Sequence, residues 1–347
     1  MSTDVPAPRR TGLRGRVLFA VKAAVSIGLM YWVVRSALAH DGVDALEASL
    51  SRVSIAWVLA AIGLQVLPII TGTLRWRLLL RAQGIRLAFA WLLRSYLVGR
   101  FIGAFTPSTT GLDFYRAWDV ARETGDMGKS AGAILVEKGL GLLAVALVCL
   151  ALLPFGAREL LGTSAFIVAG VVALGSVAGI AVLARPEQAK VLLRVLPRLL
   201  RVRAEKLLDA VGAPGLDAGV LGRGVALGLL AYLALSSVFA ATGLALGVDV
   251  PLETLLVVGN AIVIATLLPI SIGGVGVREG VAVLLLSRIG VSVTDATLVA
   301  LLGYLAGQVP ALAGGVLLLV RRPATGRSPA KPGEPVAASE PAPNGSH

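Results

Sequence analysis

Two arginines stand where arginines are costly. Arg116 and Arg278 each follow a Pro/Gly break in an apolar stretch, and the breaks share one pattern. Pro107, Thr109, Gly111 and Arg116 recur, at a constant separation, as Pro269, Ser271, Gly273 and Arg278. A charged side chain at bilayer depth costs about 2.5–3.5 kcal/mol even on the mildest scale, so it needs a partner or a water-filled cavity. Asp113, Glu137, Lys138 and Glu279 are the charged groups at hand. The chemistry such breaks offer is anion binding. Where a helix restarts, its first N–H groups lack intrahelical acceptors, and together with the helix dipole they attract negative charge. Thr109, Thr110 and Ser271 are suitable N-caps, while Gly111, Gly273, Gly274 and Gly276 let a ligand or another backbone come close. Two such N-termini, carrying Arg116 and Arg278 and converging from opposite faces, would hold a phosphate.

The neighbouring charges admit more than one role. Glu137 sits in a run that is apolar from 139 to 153 and reads equally as half of a structural ion pair or as a substrate contact. Asp113 reads as an arginine partner or as a first-turn acid complementing the helix dipole. Lys138, Arg94 and Arg100 read as snorkelling or pairing residues, and Arg75-Trp76-Arg77 as an interfacial belt rather than a site. Catalytic and metal chemistry find little material. The histidines are His40 and His347, the single cysteine, Cys149, lies in an apolar run, and no Walker motif is present. We expect no cofactor, no metal and no enzymatic activity.

These residues must be positioned by membrane helices. The chain has 347 residues, 56% hydrophobic and 15% charged, against about 25% charged in soluble domains. Residues 160–184, 224–248 and 296–320 carry no charge, and about 20 apolar residues cross a bilayer core. Further spans fit 17–34, 55–74 and 130–154; the first, interrupted by Lys22, is read as a span and not a cleaved leader. The net charge of +12 comes in short blocks between apolar runs, which points to topology rather than nucleic acid. Basic residues collect before 17, at 75–86, between 185 and 223, and after 320, whereas 40–54, 155–159 and 249–253 contain only Arg52 and Arg158. The first set is expected in the cytoplasm, with both termini, in a bacterial or archaeal cytoplasmic membrane.

Parity then constrains the ambiguous stretches. Residues 88–129 begin and end on the cytoplasmic side, and 253–290 begin and end outside. Each is expected to be a re-entrant hairpin tipped by its Pro/Gly break, although two short full spans would keep the same parity. The expectation is an all-α, polytopic integral membrane protein built as an inverted repeat, with about six full spans plus two re-entrant hairpins, or about eight spans if the hairpin limbs cross. Its segments are a basic N-terminus 1–16, a first membrane repeat 17–154, a second repeat 160–320 with a basic loop 185–223, and a disordered tail 321–347. Within the loop, residues 185–209 alternate leucine and arginine at helical spacing, as in an amphipathic helix on the inner leaflet. Inverted halves with broken helices are the architecture of secondary transporters.

Three motifs resemble a known family. They are Phe105-Thr106-Pro107 with Gly111 and Arg116, Val136-Glu137-Lys138-Gly139-Leu140, and Leu268-Pro269 followed by Gly273-Gly274-Val275-Gly276-Val277-Arg278-Glu279. The chain resembles the lysylphosphatidylglycerol synthase transmembrane region, also called the flippase-like or AglD-type family, from about residue 17 to 320. The first motif departs from the pattern, with Thr109-Thr110-Gly111 where a glycine pair is common. The resemblance implies a membrane domain that flips or handles anionic or aminoacylated phospholipids and related lipid-linked substrates. A transferase activity found in larger, fused relatives is not carried over. The expected partner is a membrane lipid with an anionic headgroup, not nucleic acid, alongside a possible homo-oligomer or a separate lipid-modifying enzyme. The alternatives are a membrane-embedded transferase acting on a lipid-phosphate carrier and a non-transporting accessory subunit.

Overall fold

The computed structural model describes residues 41–104, 106, 110–155, 157–184, 215–267, 271 and 274–320, with scattered positions between 24 and 39. The basic N-terminus, most of the first expected span, the amphipathic segment 185–209 and the tail 321–347 lie outside the described residues. The α-helices are α1 Gly42–Ser51, α2 Ile55–Leu64, α3 Val66–Ala82, α4 Phe89–Ala104, α5 Thr110–Thr124 and α6 Met127–Ala151. They continue with α7 Ala157–Ala184, α8 Ala218–Ala245, α9 Leu252–Leu267, α10 Val277–Leu286 and α11 Val293–Val320. No strand occurs among the described residues.

Four helical stretches are long and apolar enough to cross a membrane: α2 with α3 (Ile55–Ala82), α6, α8 and α11. Three of them start earlier or end later than the charge-free runs. The stretch α2–α3 continues past Leu74 through Arg75, Arg77 and Arg81, α8 starts before Arg223, and α11 starts before Asp295. A charged residue does not break helical hydrogen bonding; its long stem lets the head reach water or a partner while the backbone continues. The interruption between α2 and α3 falls at Gln65, three residues before Pro68. Pro68 has no N–H for the Leu64 carbonyl, and its ring crowds that oxygen. Asp126 and Asp217 cap α6 and α8, accepting from Lys129 N–H at 2.9 Å and Val220 N–H at 2.7 Å. The Lys129 N–H bond holds the Asp126 carboxyl below the usual carboxylate range.

Helix α8 is the central element, packed on α2, α3, α6, α9 and α11. It runs antiparallel to α2–α3. Ser54 N–H donates to Ala245 O at 2.8 Å, Gly228 lies against Arg75, and Gly215 lies against the Ala82 backbone. Helix α8 packs into three apolar clusters, one built on Trp76, Leu92, Val120 and Leu140, a second on Phe239, Ile262, Leu286 and Val299, and a small third on Ala61, Val238, Ala241 and Ala306.

The same neighbour relations occur on both sides. Helix α3 packs on α4, α4 on α5 and α5 on α6; likewise α8 packs on α9, α9 on α10 and α10 on α11. Helices α4 and α5 are antiparallel, with Gly103 facing Leu112 and Gly99 facing Leu112 and Tyr115. At 1.5 Å per residue, α4 and α9 are each about 24 Å long and α10 about 15 Å, against a hydrocarbon core of about 30 Å.

Candidate functional site

Glu137 lies about 15 Å along α6, and its carboxylate collects two arginines from two other helices. Arg116 Nη1, from α5, donates to Glu137 Oε2 at 2.9 Å, and Arg75 Nη2, from α3, donates to Oε1 at 3.4 Å. Arg116 Nη2 also donates to Asp113 Oδ1 at 2.7 Å, and Lys138 Nζ stands 2.6 Å from Asp113 Oδ2. Arg116, Glu137 and Arg75 are all buried, whereas Lys138 is half-exposed, so the network runs from the interior to an accessible edge. The Arg116 guanidinium lies 5.0 Å from the centres of both the Trp76 and Tyr96 rings. Those negative ring faces add to its stabilisation.

Packing makes room for these large groups with small residues. A Cβ on Gly228 of α8 would stand 2.9 Å from Arg75 Nη1, and one on Gly72 would stand 3.0 Å from the Tyr96 hydroxyl oxygen. Three cations, Arg75, Arg116 and Lys138, meet two carboxylates, Asp113 and Glu137, so the cluster carries a formal excess of positive charge. The donors are in excess as well. Arg75 Nε and Nη1, Arg116 Nε and Trp76 Nε1 are buried without an acceptor. Buried donors of this kind are costly unless something accepts from them, and an anionic oxygen suits them best.

The second arginine is held differently. Arg278 is the second residue of α10, 4% exposed, with its guanidinium 4.3 Å from the Tyr304 ring centre on α11. The turn before it is fixed by Gly274 and Gly276, at φ +77° and +83°. Gly276 is the N-cap, and its N–H donates to Glu279 Oε2 at 2.6 Å. At Gly274 a Cβ would sit 3.0 Å from Arg278 Nη2 and 2.9 Å from Thr266 Cγ2, so only glycine fits both the conformation and the space. Glu279 Oε1, Ser271 Oγ and Asn260 Nδ2 are buried nearby in sequence and lack a hydrogen-bond partner.

Of the residues singled out in the sequence, Arg116, Asp113 and Glu137 thus form one cluster, and Arg278, Glu279, Gly274 and Gly276 another. Thr109, Gly273, Pro107 and Pro269 lie outside the described residues. Gly111 faces Thr106 within the first hairpin, where a Cβ would collide with the Thr106 side chain, so its glycine is used in packing the hairpin. Two expectations need correction. Ser271 does not cap the second helix; Gly276 does, because the Gly274–Gly276 turn prolongs the break. The matched arginines therefore differ in helical register: α5 starts six residues before Arg116, α10 one residue before Arg278.

The second correction concerns Arg75 and Trp76, which are not an interfacial belt. Both are buried, Trp76 completely, and both touch the Arg116 network. Helical phase carries the signal: Pro68, Thr71, Arg75 and Leu79 recur every three to four residues on the buried face of α3, and Arg77 falls off it. Arg100, read as snorkelling or pairing, pairs: it donates to Gln65 Oε1 at 3.2 Å and Gly307 O at 3.0 Å, tying α4 to the α2–α3 junction and to α11.

No curated protein matches the chain. A family described as Lysylphosphatidylglycerol synthase TM region matches over residues 19–315, which include both arginine clusters, three of the four long apolar helices and all but the last turn or so of the fourth. The chain is a multi-pass membrane protein that belongs to the Lysylphosphatidylglycerol synthase TM region family.

Proposed function

We propose that the protein is a flippase or transporter of an anionic phospholipid or lipid-linked substrate, with the headgroup phosphate engaged by Arg116 and Arg278. The observation that carries this reading is the first cluster: three cations against two carboxylates, with spare guanidinium and indole N–H groups, about half-way along a membrane helix. A phosphate entering past half-exposed Lys138 would take over donors that Glu137 and Asp113 only partly satisfy. Arginine suits this exchange because its planar fork grips two phosphate oxygens at once.

The site reads as binding rather than catalytic. Each of these carboxylates has a partner: Glu137 has Arg75 and Arg116, Asp113 has Arg116 and Lys138, and Glu279 accepts from the Gly276 N–H through Oε2 alone. The repeated neighbour relations of α3–α6 and α8–α11 support an inverted repeat, with hairpins α4–α5 and α9–α10 opening to opposite sides of the membrane. In a background lacking Cys149, Glu123→Cys should react with an impermeant thiol reagent from the cytoplasm and Ser287→Cys from outside. Reaction of both positions from one side would reject opposed hairpins.

Function is tested in reconstituted vesicles containing fluorescent phosphatidylglycerol or phosphatidylcholine, with an impermeant quencher reporting leaflet exchange. The wild type should accelerate exchange of phosphatidylglycerol over protein-free vesicles, and more than that of phosphatidylcholine. No acceleration for either lipid, combined with group transfer onto a lipid-phosphate carrier, would replace transport with the transferase reading.

A further inference from the structure

The same helix pair that buries Arg75 presents a second basic surface on its opposite, outward side. Helices α3 and α8 enclose an open groove of about 520 Å³. Helix α3 contributes Leu74, Arg77, Leu78 and Arg81 to it, and α8 contributes Arg223, Ala226, Leu227 and Leu230. Each set has the spacing i, i+3, i+4, i+7, the stripe that one face of an α-helix presents. Because the two helices are antiparallel, Arg81 near the end of α3 and Arg223 near the start of α8 lie at the same end. Leu74 and Leu230 lie at the other, about 10 Å away along each helix. The groove is therefore basic at the membrane edge and apolar toward the membrane interior.

We infer that this groove binds an anionic phospholipid, its phosphate on Arg77, Arg81 and Arg223 and an acyl chain along the leucine stripes. Charge complementarity identifies the occupant. Neither α3 nor α8 contains an Asp or Glu, and the nearby cap Asp217 is committed to the Val220 N–H. Among the described residues no carboxylate pairs with Arg77, Arg81 or Arg223, and Arg77 Nε is buried without an acceptor. The chain's own segment 185–209 is a poor occupant, because it carries an excess of Lys and Arg and would repel the same end. A soluble anion could use the arginines but leaves the exposed Leu230 and the rest of the apolar half in contact with lipid in any case. Anionic headgroups attract juxtamembrane basic residues, and basic edges of this kind belong to the cytoplasmic side. The site is separate from the Arg116 and Arg278 clusters, and it stands whether or not those move lipid.

The test uses the full chain in phosphatidylcholine vesicles doped with a phosphatidylglycerol bearing a photoreactive diazirine on one acyl chain, with diazirine phosphatidylcholine as comparison. Photolysis and peptide mapping should place the phosphatidylglycerol label on residues 74–81 and 223–230, in about tenfold or greater excess over the phosphatidylcholine label. The combined Arg77→Gln, Arg81→Gln, Arg223→Gln variant should lose that excess, while Arg278→Gln keeps it. A second measurement needs no substitution: unlabelled phosphatidylglycerol should displace the wild-type label at about tenfold lower concentration than unlabelled phosphatidylcholine. Equal labelling and displacement by the two lipids would overturn the inference. So would phosphatidylglycerol label that falls on 185–209 and not on these peptides, or phosphatidylglycerol label that persists in the triple variant.

Discussion

Arg116 and Arg278 occupy matching places in the sequence and unlike places in the fold. Arg116 is held by charge: Glu137 and Asp113 on one side, Trp76 and Tyr96 on the other, with Arg75 competing for the same carboxylate. Arg278 is held by a turn of two glycines at positive φ and by the Tyr304 ring, with the buried Glu279 carboxylate next to it in the chain offsetting the unfavourable helix N-terminus. The contrast shows that one sequence pattern can bury an arginine by two routes. The first route rests on a network of ion pairs between helices, the second on a glycine turn with one carboxylate beside it in the chain.

The largest effect should come from Glu137→Gln. The substitution keeps the shape and removes the charge between two buried arginines, and breaking a buried pair costs about 3–5 kcal/mol. Glu279→Gln should cost about 1 kcal/mol, because Gly276 N–H can donate to an amide oxygen as well as to a carboxylate. Thermal and denaturant unfolding of the detergent-solubilised variants measures both. Equal losses would remove the distinction between the clusters.

The backbone side of the comparison is sharpened by two glycines. Gly274→Ala faces both a positive φ and two crowding contacts, and should lose about 1–3 kcal/mol together with lipid movement. Gly125→Ala has a similar φ of +76° but open space around its Cβ, and should lose about 1–2 kcal/mol with lipid movement retained. If both variants retain movement, the Gly274 turn does not position Arg278.

The rings contribute less than the Glu137 charge. Tyr304→Leu removes the ring beside Arg278, with an expected loss of about 0.5–2 kcal/mol. Tyr96→Leu should lose less, since Arg116 keeps Trp76 and two carboxylates. A larger loss at Tyr96 than at Tyr304 would invert the proposed dependence of the two arginines on their rings.

Much of this was legible in the residues. The charge-free runs 224–248 and 296–320 fall in two of the four long apolar helices, whereas 160–184, expected to span, lies in α7, which is broken at Gly162 and is not among the four; the Pro/Gly breaks fall between α4 and α5 and between α9 and α10. Glu137 and Arg116 stood out because an ionised group in an apolar run needs a partner. Arg75 and Trp76 were hidden by treating basic residues as topology markers in a block. Helix α3 turns Arg75 inward and Arg77 and Arg81 outward, a division visible only in helical phase. The cap at Gly276 was hidden for another reason. Hydroxyl residues are the usual N-caps, so Ser271 drew the helix start, while crowding from Thr266 and Arg278 at Gly274 is set by tertiary packing and leaves no trace in local sequence.

The central claim is that arginine forks, and not positive charge alone, hold the lipid headgroup. The direct measurement is phosphatidylglycerol exchange in reconstituted vesicles by wild type, Arg278→Lys and Arg116→Lys, each checked for folding and insertion. Both lysine variants should slow exchange despite keeping the charge, and Arg278→Lys should slow it more, because its glycine turn leaves a closer approach for the headgroup. Wild-type rates in both folded lysine variants would contradict the account.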